Sequence, residues 1–66
     1  MTIAEYRRTI NELEAVISDT KTLMARFEAT GFDEAMSDDY LALHELYTRI
    51  IEEQRRYTRE MLAAEE

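Results

Sequence analysis

The fold is decided by residues 3–27, IAEYRRTINELEAVISDTKTLMARF, and by residues 40–64, YLALHELYTRIIEEQRRYTREMLAA. In each stretch, mostly apolar or aromatic side chains recur at alternating spacings of three and four residues, which is the a/d pattern of coiled-coil helices. The first seam is Ile3, Tyr6, Ile10, Leu13, Ile17, Thr20, Met24 and Phe27, and the second is Tyr40, Leu43, Tyr47, Ile50, Gln54, Tyr57, Met61 and Ala64. The seams pair in opposite order, from Phe27 with Tyr40 to Ile3 with Ala64, and each pair of numbers sums to 67. The pattern predicts an all-α fold, an antiparallel two-helix hairpin with coiled-coil-like packing.

Local signals place the first helix at about 3–30. Thr2 and Glu5 have the spacing of a capping box, in which each side chain binds a backbone N–H of the other residue. Gly31 suits the left-handed position just after a helix, and Phe32 then lies where a Schellman cap packs an apolar side chain back onto Phe27. We therefore expect the first helix to end directly before Gly31.

The second helix is expected at about 37–64, after a loop at about 31–36. Ser37 is a favoured N-cap residue, and the acids that follow it suit the positive end of the helix dipole. With Ser37 as the cap, Met36 and Leu41 have the spacing of a hydrophobic staple. An earlier start at Asp33 is also open. Residues 1–66 are thus expected to form a single helical-hairpin domain.

A chain of 66 residues is short for an independent core. A core of this size rarely supplies more than about 3–5 kcal/mol, and the chain has no cysteine to form disulfides. Three apolar side chains, Val16, Leu23 and Leu46, occupy g positions on one side of the seam, and we call them the apolar flank. We predict that two hairpins bury this flank in a homodimeric four-helix bundle. The alternative is that the three residues are scattered surface apolars.

Gln54 introduces a polar group into the second seam. A polar seam residue can fix the register and oligomeric state of helices at a cost in stability. We prefer this role for Gln54 over direct ligand binding.

The charge is unevenly distributed along the chain. The net charge is −7, and the stretch 28–45 carries −6 because it has six acids and no Lys or Arg. At its centre we expect an acidic tip that presents two apolar residues, and we define this tip as Phe32, Asp33, Glu34, Met36, Asp38 and Asp39. Such a tip would be attracted to a basic protein surface and repelled by nucleic acid or an anionic membrane. The alternative is that the acids cap a helix and keep a small protein in solution.

Five arginines gather at the opposite end of the predicted hairpin, which we call the arginine end: Arg7, Arg8, Arg55, Arg56 and Arg59. Dimeric helical hairpins can bind RNA through such a group, but acids are interspersed here, so phosphate attraction would be weak. The arginines also flank the seam and do not enter it. We therefore expect neither nucleic-acid binding nor capture of an anionic substrate at this end.

Catalytic and metal-binding motifs are missing from the sequence. The only histidine, His44, has Leu41 three residues before it, so the Glu-x-x-His pair of di-iron bundles does not occur. One glycine cannot form a phosphate-binding loop, and neither serine has a base placed to activate it. We expect a chain that is not an enzyme and has no cofactor.

The N-terminus does not lead into an apolar run, and no stretch approaches the roughly 18 apolar residues of a membrane span. We therefore expect a cytoplasmic protein with no membrane partner.

These observations predict a non-enzymatic protein–protein interaction module, a small regulator, adaptor or assembly factor that acts as a helical-hairpin dimer. Its partners would be a second copy of itself and another protein. The alternative is an acidic inhibitor or nucleic-acid mimic that occupies a basic surface of a target, as small proteins of phages and mobile elements often do.

Overall fold

A computed structural model describes residues 1–65, and these residues form two long helices joined by one short helical turn. Helix α1 spans Ile3–Thr30, α2 spans Phe32–Ala35 and α3 spans Ser37–Glu65. The two long helices pack against each other in opposite directions, which confirms the predicted helical architecture. The hairpin is a thin rod, 48 × 15 × 12 Å across its Cα atoms. Glu66, the last residue of the expected domain, lies outside the described residues.

Both ends of α1 have the predicted caps. The Thr2 side chain accepts from the Glu5 N–H at 3.1 Å, and the Glu5 carboxylate accepts from the Thr2 N–H at 3.2 Å. The pKa of the Glu5 carboxyl is lowered, chiefly by the hydrogen bond from the Thr2 N–H and next by the Thr2 side chain, because both favour the charged form. At the other end, Gly31 has φ 77° and its N–H donates to the carbonyls of Glu28 and Phe27. The helix is thus closed by its own flanking residues.

The connection differs from the expected loop, because α2 occupies most of it. The N–H groups of Glu34 and Ala35 donate to the Gly31 carbonyl, which forms one helical turn. Met36 then breaks the turn with φ −126° and ψ 52°, and its carbonyl accepts from the Tyr40 N–H at 2.9 Å. The chain therefore bends at Gly31 and again at Met36.

The prediction of Ser37 as N-cap is wrong. Ser37 is already the first residue of α3, so Met36 holds the cap position. The physical reason is that the Met36 carbonyl begins the hydrogen-bond ladder of α3 one residue earlier than the serine signal suggested. The expected staple between Met36 and Leu41 depended on that cap, and both of these side chains are exposed.

The seams form the interface between the long helices, but this interface buries few side chains completely. Among the described residues, only Thr20 and Ile50 are buried, with exposed fractions of 7% and 8%. The other seam side chains are half-buried, except for the exposed Ala64. The Thr20 hydroxyl is satisfied because it donates to the Val16 carbonyl at 2.8 Å. The core is therefore a single narrow layer along the rod.

Aromatic contacts join the two long helices at both ends of the rod. The predicted pair Phe27 and Tyr40 stack with ring centroids 6.3 Å apart. Near the chain termini, the ring of Tyr57 lies 6.4 Å from that of Tyr6, one helical turn from its predicted partner Ile10. Phe32 packs edge-on against Phe27 at 6.0 Å, which is the predicted cap contact.

Candidate protein-interaction surfaces

One side of the seam, formed by the e positions of both helices, is closed by polar contacts between the helices. Three such contacts occur among residues 1–65, and we call this side the polar flank. The Tyr40 hydroxyl donates to Glu28 at 2.9 Å, the Gln54 amide donates to Glu14 at 2.5 Å, and the Arg7 guanidinium lies 4.0 Å from the Glu65 carboxylate. Each contact includes an e residue of α1. Three polar contacts thus link the helices along the polar flank, where Ile51 is the one large apolar residue at an e position.

The opposite side, formed by the g positions, carries the apolar flank. Val16, Leu23 and Leu46 are between 40% and 44% exposed, although each lies directly beside the buried seam. The register places Leu46 across from the interval between Val16 and Leu23, so the three side chains form one patch. Within the described residues, no polar contact between the helices crosses this side. The two flanks of the same seam are therefore chemically different.

The acidic tip surrounds the two bends of the connection. Phe32 and Met36 are 45% and 41% exposed, and Asp33 is half-buried while Glu34, Asp38 and Asp39 are exposed. Phe32 uses part of its ring against Phe27 and leaves the rest at the surface. The predicted tip residues are thus gathered at one end of the rod, with apolar and acidic groups side by side.

The electrostatic field of the tip extends to the first turn of α3. The pKa of the Tyr40 phenol is raised above its usual value, chiefly by its hydrogen bond to Glu28, with smaller contributions from desolvation and from the charges of Glu28 and Asp33. The pKa is raised chiefly because ionisation would remove the donor of this hydrogen bond, and to a smaller extent because the nearby carboxylates oppose another negative charge. This end of the rod is suited to cationic groups.

At the other end of the rod, acids neutralise part of the arginine end. The Arg56 guanidinium forms an ion pair with Glu53 at 2.5 Å and lies 4.8 Å from the centre of the Tyr57 ring. The Glu53 carboxylate is the main cause of a raised Arg56 pKa. Arg7 faces Glu65 across the hairpin. These pairings reduce the positive charge available for phosphate groups.

Sequence reasoning missed a second set of exposed leucines. Leu41 and Leu62 lie at b positions on the outer face of α3, where they are 57% and 53% exposed. Leu41 lines a shallow open depression along α3 together with His44, Glu45, Thr48, Arg49 and Glu52. All of these residues belong to one helix, so the depression is a groove between neighbouring side chains. Their shared b position in the heptad is the available signal, whereas the spacing of Leu41 from Met36 predicts a staple instead.

Comparisons with protein-family models, with curated proteins and with solved structures each found no match. Within residues 1–65, no helix has the length and apolar character needed to cross a membrane. The same residues contain no group of three or more His, Asp or Glu side chains placed to hold a metal ion.

Proposed function

We propose that this chain is a non-enzymatic protein–protein interaction module that acts as a homodimer of helical hairpins. In the dimer, the apolar flanks of two copies pack together and form a four-helix bundle. The outer surfaces of the bundle then present identical sites to another protein, as in small regulators, adaptors and assembly factors.

The asymmetry of the two flanks carries this proposal. The polar flank forms hydrogen bonds and an ion pair inside one hairpin. The apolar flank instead leaves three large side chains exposed to water beside a core with two buried residues. A helix whose apolar stripe is wider than its a and d positions is typical of helices with more than one neighbour. A second copy supplies that neighbour with matching chemistry.

The accessible surface of the hairpin supports association. It is 4984 Å², about 600 Å² more than the roughly 4,400 Å² expected for a compact monomer of 7.8 kDa. The radius of gyration is 14.9 Å, against about 11 Å for a compact domain of this length. Packing two rods side by side would lower the surface exposed per chain.

Sedimentation equilibrium at several protein concentrations tests the dimer. We expect the wild-type chain to sediment as a dimer and the Leu46→Gln variant to dissociate at least tenfold more readily, because an amide would be buried at the centre of the interface. Leu62→Gln is the matched control, since Leu62 is similarly exposed but lies on the outer face of α3. A wild-type chain that is monomeric at all concentrations would contradict the proposal.

The second candidate function is an acidic inhibitor or nucleic-acid mimic, which rests on the composition of the acidic tip. Exposed Phe32 and Met36 stand among carboxylates in a stretch with no Lys or Arg. Carboxylates at the end of a rigid rod could occupy a basic groove, while the two apolar side chains would add contacts insensitive to salt.

Neutralising the tip separates the two candidate functions. The tip variant replaces its four acids with Asn or Gln: Asp33, Glu34, Asp38 and Asp39. The control variant makes the same kind of replacement at four exposed acids elsewhere on the rod: Glu12, Asp19, Glu52 and Glu60. If the tip binds a basic surface, the first variant alone loses a partner captured from host extract, and moderate salt releases that partner from the wild type. A salt-resistant complex retained by both variants would favour the adaptor.

A further inference from the structure

We infer that the two hairpins of the dimer lie with their acidic tips at opposite ends of the bundle. This inference rests on the proposed dimer and specifies its geometry. A bundle of two hairpins can place the tips together, in a parallel arrangement, or far apart, in an opposed arrangement. The structure indicates which of the two is favoured.

The apolar contacts do not distinguish the arrangements. By the register of the seam, Leu46 lies opposite position 21, about 2 Å along the helix from the midpoint between Val16 and Leu23. The apolar flank therefore has nearly the same outline when it is turned end over end. In either arrangement, the Leu46 side chain meets the same apolar patch of the partner hairpin. The choice therefore depends on the groups beyond the flank.

Charge favours the opposed arrangement. The stretch 28–45 carries −6, which leaves −1 for all other residues, and the arginine end lies at the far end of the rod. Parallel packing would bring two −6 stretches to about the interhelical spacing of 8–10 Å. That separation is close to the Debye length of about 8 Å at physiological ionic strength, so much of the repulsion would remain. Opposed packing places each acidic tip beside the nearly neutral arginine end of its partner.

The distances between the two copies of Thr9 and between the two copies of Thr30 differ in the two arrangements of the dimer. Thr9 and Thr30 occupy the g positions seven residues beyond Val16 and Leu23, so they are equidistant from the midpoint of the apolar flank. At about 1.5 Å per residue, each lies about 16 Å from that midpoint along α1. In the opposed dimer, the two copies of Thr30 are therefore about 30 Å apart, and so are the two copies of Thr9. In the parallel dimer, the copies of each residue are separated only laterally, by less than about 20 Å.

Nitroxide labels and pulsed dipolar spectroscopy can measure these distances. The chain has no cysteine, so Thr30→Cys, Thr9→Cys and Asp19→Cys each provide one labelling position. We expect similar distances of about 30 Å for the Thr30→Cys and Thr9→Cys dimers, after allowance for the label arms. The Asp19→Cys label lies near the midpoint, so it should give a short distance in both arrangements.

The outcomes distinguish this inference from the proposed function. A sedimenting dimer in which the Thr30→Cys and Thr9→Cys labels both give short distances would overturn the opposed arrangement and leave the dimer standing. A chain that sediments as a monomer, with no defined distance for any label, would overturn both. An unchanged dimer affinity as salt is raised would support the opposed arrangement, whereas marked tightening would indicate two tips held together.

Discussion

Tyr40 is the residue at which the seam, the polar flank and the acidic tip meet. Its ring stacks on Phe27 in the seam, and its hydroxyl donates to Glu28 on the polar flank. A tyrosine here provides apolar surface for the interface between the helices and a polar atom for its edge. This dual role accounts for the tyrosine, because a purely apolar side chain at position 40 could not donate a hydrogen bond to Glu28.

The Tyr40 phenol gives a prediction about pH. Because its pKa is raised in the folded state, the neutral phenol stabilises the fold fully below the unfolded value of about 10, and this stabilisation is lost as pH rises through the folded value. We expect Tyr40→Phe to remove an ionisation step above pH 10 from the tyrosinate absorbance titration. Glu28→Gln, which removes the neighbouring charge, should move that step to lower pH. A titration that Glu28→Gln leaves unchanged would mean that the hydrogen bond does not form.

Gln54, like Tyr40, is a seam residue whose polar group contacts an acid of α1 on the polar flank. It is half-buried in the seam and donates to Glu14, an exposed residue. We expect Gln54→Leu to raise the melting temperature, because a leucine would bury apolar surface worth about 1 kcal/mol in place of a hydrogen bond at the surface. Thermal unfolding followed by circular dichroism measures the change, with Glu14→Ala as the control that removes only the acceptor. A clear fall in melting temperature for Gln54→Leu would count against this view of the seam.

Gly31 determines how α1 ends and where the chain first bends. Its φ of 77° is in the left-handed region, and a Cβ built on it would meet no atom within 4 Å. The cost of another residue here is therefore in the backbone alone. We expect Gly31→Ala to lower the free energy of unfolding by about 1–2 kcal/mol, as measured by urea denaturation. Gly31→Asn should cost less, since asparagine tolerates this conformation better; equal losses for both variants would indicate a different cause.

The elements could be predicted where neighbouring residues determine them. The capping box, the Gly31 cap and the a/d spacing are all local in sequence, so both the course of α1 and the seam positions could be predicted. The start of α3 near residue 37 could also be predicted, but its capping residue could not, because the cap depends on whether the residues after Gly31 close a helical turn of their own. That turn moves the start of the α3 ladder to Met36 and leaves Ser37 inside the helix.

Of the candidate surfaces, the positions of the apolar flank could be predicted from the sequence, but the polar contacts on the other side of the seam could not. The g spacing predicted a patch of Val16, Leu23 and Leu46 beside the seam, and the structure places these side chains at the surface. The polar contacts that close the opposite flank could not be predicted, because Tyr40, Gln54 and Arg7 reach partners through side-chain directions that spacing does not determine. These contacts are what make the two sides of the seam different.

The whole molecule is a thin rod that buries few side chains for its length. All seam residues except Thr20 and Ile50 are partly exposed to water, since the rod is only two helices thick. Chain entropy grows with each ordered residue, whereas burial in a two-helix layer stays partial. We therefore expect the surfaces that a single hairpin leaves exposed to add to its stability when they are covered.

This imbalance predicts that stability depends on concentration. If folding is coupled to dimer formation, mass action stabilises the folded state as more chains are present, and the melting temperature rises with protein concentration. We expect this rise for the wild-type chain and for Leu62→Gln, and a much smaller rise for Leu46→Gln, whose interface is weakened. Thermal unfolding over a hundredfold range of concentration measures the effect. A melting temperature that is independent of concentration in all three proteins would mean that the thin seam alone holds the hairpin, and the apolar flank would then have no part in its stability.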